Sequence, residues 1–336
     1  MTELLSGGDL RSSVAGGLPA SDFKLDSIDV YVTSTCNRRC TYCFLSDEFL
    51  NSKTRMSLDM VRDIVGWAAT GRAREITLLG GEPAMHPEFS RIVTTISGAG
   101  LSARTVTNGS RQFRTALTDD AVASSLGRVA VSIDASTPTR FDRLRGRGAF
   151  ADAMATVTEI RARGIPLEIN YTVLRSTVGD VQAMIELAES MDAARLNIHW
   201  FSLVGRARTH AADETISPQV WRDEVLEVVR GYVSPRADFA VDCELGYAYG
   251  LPGEDLGECA VRGLSNLQFF PSGAVFACGM LVEDEDLSGY RWQDGMLTER
   301  SGSSELTRTD ASCAGCPLRH PDNGFTPLCI YNRLMA

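Results

Sequence analysis

Two patterns of apolar and polar residues alternate along the chain between residues 28 and 201. Short runs rich in Val, Ile, Leu and Thr are typical of buried strands, whereas apolar residues recurring every three or four positions are typical of amphipathic helices. The runs predict six strands, at 28–33, 75–79, 104–107, 129–134, 167–173 and 196–201. The spaced pattern predicts five helices, at 57–70, 87–99, 118–126, 150–163 and 178–191.

Strands that alternate with helices indicate a parallel sheet joined by right-handed crossovers. Six such units are fewer than the eight of a closed TIM barrel. The predicted fold is therefore α/β, an open, partial (βα)6 TIM-like barrel. Functional residues are expected at the carboxyl ends of its strands, because the active sites of TIM barrels lie there.

The pattern changes after the sixth predicted strand. A further helix is predicted at 218–232, and the sequence then becomes rich in loops with scattered Cys, Gly and Pro. Within this part, residues 267–277 predict a tight β-hairpin with its turn at 271–273. We expect a boundary near residues 235–242. The expected domains are a flexible lead-in at 1–26, a barrel at 27–235 and a small cysteine-rich domain at 236–336.

Composition and charge narrow the classes of function. The chain has 336 residues, of which 44% are hydrophobic and 23% charged, as in ordinary globular proteins. It lacks an apolar stretch long enough for a membrane helix and the features of a signal peptide. A net charge of -10 without a basic run disfavours a nucleic-acid partner. We expect a cytoplasmic protein with neither a membrane nor a nucleic-acid partner.

The nine cysteines are unevenly distributed. Cys36, Cys40 and Cys43 lie within eight residues, directly after the first predicted strand, and the other six lie beyond residue 240. Clustered cysteines in a reducing compartment more often hold metal than form disulfides. The distribution therefore predicts two metal sites. Three thiolates on one loop suit an iron–sulfur cluster with one open iron, although a zinc knuckle or buried thiols would also fit this spacing.

The chain resembles the radical S-adenosylmethionine (SAM) superfamily over roughly residues 27–235. The resemblance rests on four features in order: the cysteine triad with Tyr42 before its last cysteine, Gly80-Gly81-Glu82-Pro83, Thr107-Asn108-Gly109, and Ser132-Ile133-Asp134. It implies a [4Fe–4S] cluster on Cys36, Cys40 and Cys43 whose open iron binds SAM. It also implies reductive cleavage of SAM to a 5′-deoxyadenosyl radical, which abstracts a substrate hydrogen atom. An electron donor such as flavodoxin or ferredoxin is implied as a partner.

The resemblance further implies which residues bind SAM. The Gly80, Gly81 and Glu82 segment is expected to hold the methionine ammonium, although an ordinary strand-to-helix turn would also use two glycines. The other candidates are polar residues at strand ends or beside the cysteine loop: Tyr42, Asn108, Ser132, Asp134, Arg145 and Asn170. For Arg145 and Asn170 a solvated charge and a strand-end hydrogen bond are the alternatives. His199, at the end of the sixth strand, is expected either in the substrate pocket or in the core.

The second group of cysteines resembles SPASM and twitch domains, the auxiliary-cluster extensions of radical SAM enzymes. Cys259 is followed by thirteen residues, Gly273, four residues and Cys278. The resemblance implies one auxiliary [4Fe–4S] cluster, with structural zinc as the alternative. Its expected ligands are Cys259, Cys278, Cys313 and Cys316, with Cys329 as a possible replacement. Alternatively, Cys329 is a ligand together with Cys243. A cysteine that is not a ligand is either a small buried apolar residue or, for Cys243 or Cys329, a candidate hydrogen-atom donor.

The substrate is expected to be a small natural product of the sugar or aminocyclitol class, which the enzyme oxidises or epimerises. The alternative is a peptide maturase that forms a cross-link or an epimerised residue. The short segment before the first strand disfavours this alternative, because an additional peptide-binding domain would not fit there. A non-catalytic iron–sulfur sensor or scaffold is an alternative of another class.

Overall fold

The computed structural model describes residues 17–243, 266–277, 279, 282 and 285–300. The predicted ligands of the auxiliary cluster lie outside these residues: Cys259, Cys278, Cys313, Cys316 and Cys329. Their roles stay predictions.

Eleven strands of the described residues form one sheet. Seven of them neighbour each other in chain order and are all parallel. They are β1 (Ser27–Thr33), β2 (Glu75–Gly80), β3 (Ser102–Thr107), β4 (Leu126–Ser132), β5 (Leu167–Val173), β6 (Arg195–Trp200) and β7 (Ala240–Cys243). The six predicted strands are confirmed, and β7 extends the parallel series by one strand that was not predicted.

Four short strands continue the sheet on the other side of β1: β8 (Gln268–Phe269), β9 (Ala274–Phe276), β10 (Tyr290–Gln293) and β11 (Met296–Glu299). β8 runs parallel to β1, and the other three pair antiparallel. The predicted hairpin is thus confirmed as β8 and β9. The β10–β11 hairpin was not predicted, although its two-residue turn, Asp294-Gly295, has positive φ at both residues and carries the strongest short hairpin signal.

The helices cover the sheet between the parallel strands. The α-helices are α1 (Asp47–Asn51), α2 (Leu58–Ala69), α3 (Phe89–Gly98), α4 (Arg111–Leu117), α5 (Asp120–Ser125), α6 (Pro138–Arg145), α7 (Ala149–Ala162), α8 (Val181–Ser190), α9 (Ala207–His210), α10 (Pro218–Val220) and α11 (Glu227–Gly231). A π-helix, Trp221–Leu226, joins the last two, and 3-10 turns occupy Ala20–Asp22, Pro83–Met85, Val178–Asp180, Ala212–Glu214 and Glu285–Leu287. The five predicted helices correspond to α2, α3, α5, α7 and α8, and the helix predicted at 218–232 is confirmed.

Local chemistry explains where several helices begin. The hydroxyl of Ser57 accepts a hydrogen bond from the Met60 backbone N–H and caps α2, as the sequence predicts. Ser46 and Ser110 cap α1 and α4 in the same way. Each serine satisfies a backbone donor that the first helical turn leaves without a partner.

The strands divide the interior into an apolar core and a polar cavity. On β1, Ile28, Val30 and Val32 are buried in the main core, whereas Asp29 and Tyr31 line the cavity. This arrangement follows from the alternation of side chains along a strand. Within the described part of the chain, the model contains no helix of sufficient length and apolarity to cross a membrane.

Candidate active site

One cavity of about 550 Å³ brings together the predicted cluster-binding and SAM-binding residues of the described chain. It opens where β2 to β6 end, and its floor lies deeper between the strands. Its lining includes the three thiols Cys36, Cys40 and Cys43, together with all nine predicted SAM-binding residues: Tyr42, Gly80, Gly81, Glu82, Asn108, Ser132, Asp134, Arg145 and Asn170. His199 lines it as well, so its predicted place in a substrate pocket is the one the structure favours.

The cysteine loop is held in place by backbone hydrogen bonds to distant segments. The Thr41 N–H donates to the Leu144 carbonyl at 3.3 Å, and the Ala207 N–H donates to the Cys43 carbonyl at 3.2 Å. The Arg206 guanidinium donates to the Cys40 carbonyl at 3.3 Å. The loop has no regular structure of its own, so α6 and α9 determine where its thiols lie.

The thiols are half-buried, and the loss of hydration around them governs their protonation. It raises the pKa of Cys36 to about 11 and that of Cys43 to about 12, and it also raises the pKa of Cys40. Thiolates at this site therefore need a cation, which the irons of a cluster would supply. The Arg38 N–H and the Asn108 side-chain amide already point at the Cys36 sulfur, at 3.4 and 3.6 Å.

The spacing of the thiols bears on the choice between zinc and a cluster. In the described ranges of the chain, no three His, Cys, Asp or Glu side chains are grouped closely enough to hold a single metal ion. A tetrahedral zinc site requires its ligands to converge on one point. A cubane presents a separate iron to each thiolate, so three thiols set around one cavity suit it better.

Gly80 and Gly81 allow two backbone segments to touch. A Cβ atom at Gly80 would lie 2.4 Å from the Thr33 carbonyl oxygen, and one at Gly81 would lie 2.5 Å from that of Thr35. The Gly81 N–H donates to the Thr33 carbonyl at 2.8 Å. These glycines therefore pack the end of β2 against the start of the cysteine loop, which was not part of the sequence interpretation.

We expect Gly81→Ala to weaken SAM binding tenfold or more and to destabilise the fold by about 1–3 kcal/mol, because backbone atoms cannot yield to a new methyl group. Gly98→Ala is the matched control, since a Cβ atom there meets nothing within 4 Å. Equilibrium dialysis of SAM with the anaerobically reconstituted protein measures the affinity, and the melting temperature reports stability. Equal affinities of the two variants would contradict this role of Gly81.

Glu82 joins the ends of β2 and β3. Its buried carboxylate accepts hydrogen bonds from the Thr107 hydroxyl and the Asn108 N–H, both at 2.8 Å. Burial raises the pKa of Glu82 to about 7. The Asn108 amide in turn donates to the Asn37 side chain at 2.9 Å.

One buried acceptor at this position has no partner among the described residues. It is the Asn108 Oδ1 atom, on the wall of the cavity. An unsatisfied buried acceptor costs about 1–3 kcal/mol, so it indicates a hydrogen-bond donor on a bound ligand. Asn108 thus fits the predicted cofactor site.

Asp134 organises the opposite wall. Its carboxylate accepts hydrogen bonds from the Tyr42 hydroxyl, the Arg145 guanidinium and the Thr172 N–H. The Arg145 guanidinium also lies over the Tyr42 ring, 5.5 Å from its centroid. Arg145 is therefore a buried, paired charge, and not the solvated loop charge that was its alternative interpretation.

The remaining predicted residues lie on β4, β5 and β7. Ser132 is opposite Asn170 in the β4–β5 register, and the Asn170 side chain accepts a hydrogen bond from Asn197 at 2.9 Å. Cys243 lies on β7, opposite Ile198 of β6, and packs against the main core. It is not among the residues that line the cavity. This placement does not favour Cys243 as a hydrogen-atom donor.

Five polar residues that line the cavity were not predicted: Asp29, Thr77, Arg104, Thr172 and Gln268. A signal for them was present. Strands of a parallel sheet that are buried on both faces are nearly continuous in apolar residues. Polar residues at alternate positions of such strands therefore indicate a polar interior.

The geometry defines a cofactor-dependent active site, and the comparisons with known proteins agree with it. The model of the radical SAM superfamily matches residues 30–188. The PqqA peptide cyclase of Ruegeria pomeroyi is 30% identical over 315 residues, which cover 84% of this chain and 78% of the relative. The AdoMet-dependent heme synthase of Methanosarcina barkeri is 29% identical over 192 residues, which cover 56% of this chain and 53% of the relative.

Two solved structures share the fold. SuiB of Streptococcus suis bound to the precursor peptide SuiA has a TM-score of 0.64 at 14% identity, covering 77% of this chain and 60% of that one. The enzyme anSMEcpe with bound AdoMet and the Cp18Cys peptide has a TM-score of 0.60 at 15% identity, covering 91% and 94%. The chain therefore spans less than two thirds of SuiB and of the heme synthase.

This chain belongs to the radical SAM superfamily. It is an enzyme, and its cofactors are a [4Fe–4S] cluster and SAM.

Proposed function

We propose that this enzyme modifies a peptide, beginning with abstraction of a hydrogen atom from it. The convergence of three thiols and nine predicted cofactor-binding residues on one cavity carries the hydrogen-abstraction part of this proposal. Sequence analysis favoured a sugar or aminocyclitol substrate. The similarity to a peptide cyclase over 84% of the chain supports the peptide alternative instead and disfavours a non-catalytic sensor.

In this proposal Cys36, Cys40 and Cys43 hold the cluster, and the Gly80 to Glu82 segment receives the methionine part of SAM. When bound, the two cofactors supply a 5′-deoxyadenosyl radical. The chain binds and orients the reactants and excludes water. Its Tyr31 and Phe270 rings stack at 4.1 Å beside the cysteine loop and support that wall.

We extend the proposal to the parts of the chain that complete such an enzyme. The consecutive order of the parallel strands supports a partial barrel at 27–235. Residues 236–336 then form the cysteine-rich domain, with an auxiliary [4Fe–4S] cluster on cysteines among Cys259, Cys278, Cys313, Cys316 and Cys329. A small carrier such as flavodoxin or ferredoxin delivers the electron. The position of Cys243 in the core favours cross-link formation over epimerisation through this thiol.

The proposal predicts that the substrate is destroyed by protease. The anaerobically reconstituted enzyme is incubated with SAM, a reductant and fractions of an extract from its source cells, and 5′-deoxyadenosine is measured by liquid chromatography. We expect a peptide fraction to raise its formation several-fold above the level without substrate. Treatment of that fraction with proteinase K, followed by removal of the protease, should abolish the increase.

The matched control treats the same fraction with heat-inactivated proteinase K, which should leave the increase intact. An increase that survives active proteinase K would indicate a small metabolite and contradict the proposal. The mass of the product separates the two peptide reactions. A cross-link removes two hydrogen atoms from the peptide, whereas epimerisation leaves its mass unchanged.

A further inference from the structure

The floor of the cavity contains a carboxylate whose charge has no cationic hydrogen-bond partner among the described residues. Asp29 lies on β1, between Thr77 on β2 and Gln268 on β8 in the strand register. Its carboxylate accepts hydrogen bonds from the neutral side chains of Asn266, at 3.0 Å, and Thr77. Burial raises the pKa of Asp29 to about 6.

The neighbouring charges are already paired with each other. Arg104 directs both its Nε and Nη2 atoms to the Glu168 carboxylate, at 3.0 and 2.7 Å. Arg128 lies 2.6 Å from the Glu75 carboxylate and 3.2 Å from that of Glu168. Two arginines thus pair with two glutamates. The charge of Arg104 also favours ionised Asp29, but its hydrogen bonds go to Glu168, so Asp29 has no cation of its own.

The other charges on the cavity wall also have partners. Arg145 is paired with Asp134, Arg38 with Asp152, and the Glu82 carboxylate accepts hydrogen bonds from Thr107 and Asn108. A buried charge is costly unless an opposite charge accompanies it. Glu82 also has only neutral partners, but in the proposed function it receives the methionine ammonium of SAM. Asp29 is therefore the carboxylate of the cavity lining that still lacks a paired cation among the described residues.

A second acceptor lies beside Asp29. The Oε1 atom of Gln268, directly opposite Asp29 on β8, is buried and has no hydrogen-bond partner in the described part of the chain. The Oδ1 atom of Asn266, whose amide donates to Asp29, is also buried without one. The two amide oxygens lack hydrogen-bond donors, and the Asp29 carboxylate lacks a cation. A ligand group that is both cationic and a hydrogen-bond donor would complement all three.

We propose that the substrate places an ammonium or guanidinium group against Asp29 and Gln268, so the modified peptide carries a lysine or arginine side chain. This inference rests on the proposed peptide function. A strand rises about 3.3 Å per residue, so Asp29 lies roughly 13 Å below the end of β1 at Thr33. A lysine or arginine side chain extends about 6–7 Å from its Cα atom, so the peptide backbone must itself enter the cavity to bring the cation to Asp29.

The test compares sets of acetylated and amidated pentapeptides whose central residue is lysine, arginine, norleucine or glutamate. Their binding to the reconstituted enzyme with SAM is measured by anaerobic calorimetry. We expect the lysine or arginine set to bind at least about tenfold more tightly than the norleucine set, because the cation pairs with a carboxylate on the cavity lining. The Asp29→Asn variant should lose this preference.

Two further variants keep the test decisive. Gln268→Leu, which removes the second acceptor, should reduce the preference several-fold, and it remains informative if Asp29→Asn does not fold. Asp59→Asn on α2 is the matched control, because its side chain is 87% exposed and distant from the cavity lining, and it should behave like the wild type.

Equal binding of all sets, binding of none, or a preference unchanged by both cavity variants would overturn this inference. The proposed function has its own measurement. An enzyme that forms 5′-deoxyadenosine with protease-sensitive substrate but shows no preference for cations overturns only the role of Asp29. An enzyme that forms none overturns the proposed function, whatever the peptides bind.

Discussion

Replacing Cys36, Cys40 and Cys43 together with alanine should reduce the formation of 5′-deoxyadenosine from SAM to below about one-thousandth of the wild-type rate. The reason is that these thiols line the site and are the proposed ligands of the cluster, so the variant would not hold the cluster that receives SAM. Liquid chromatography after anaerobic incubation with SAM and a reductant measures the product.

Iron analysis of the same proteins separates the two clusters. If the auxiliary cluster is present, the wild type holds about eight irons per chain and the triple variant about four, because each cubane has four irons. Thr41→Ala is the matched control, since Thr41 lies in the same loop but does not line the cavity. Turnover that survives in the triple variant, or zinc in place of iron in the wild type, would refute the assignment of this loop.

The Asp134→Ala variant should lose about 3–5 kcal/mol of stability, because it leaves the Arg145 guanidinium buried without its carboxylate. Asp134 and Arg145 side chains are 1% and 10% exposed. The substitution also removes the acceptor of the Tyr42 hydroxyl and of the Thr172 N–H. Denaturant unfolding under anaerobic conditions measures the loss.

A double variant shows where this loss originates. Asp134→Ala combined with Arg145→Met should recover part of the stability, since the uncompensated charge is then absent. Asp59→Ala, which removes an exposed ion pair with Arg62, should cost at most about 1 kcal/mol. If Asp134→Ala cost no more than Asp59→Ala, the wall of the cavity would not depend on this pair.

The strands β1 to β6 and the α-helices of ten or more residues were predicted from local sequence, but β7, α4 and α6 were not. α6, Pro138–Arg145, is strongly polar, and burial of Phe141 and Leu144 against the fold stabilises it. α4, Arg111–Leu117, buries Phe113 and Leu117. Helices of seven or eight residues are marginal by themselves, so tertiary packing decides whether they form.

The sequence motifs predicted which residues line the site, but they did not predict which of these residues contact each other. Gly80 and Gly81 were expected to help hold the methionine part of SAM, which stays a prediction. The structure adds that they let the end of β2 touch the cysteine loop. Arg145 and Asp134 were separate candidates, but they form one buried pair with Tyr42. Such pairings join residues far apart in the chain, and a linear motif does not contain them.

The order of the parallel strands and the cysteine, glycine and strand-end motifs can be read from the chain itself, because strand patterns and loop spacings are local properties. Which polar side chains share the cavity depends on how the strands pair. Asp29 and Gln268 are 239 positions apart in the chain and become neighbours only through the β1–β8 register. Charge pairing also depends on the tertiary structure. Whether a carboxylate has a cationic partner is known only when the positions of all neighbouring charged side chains are known.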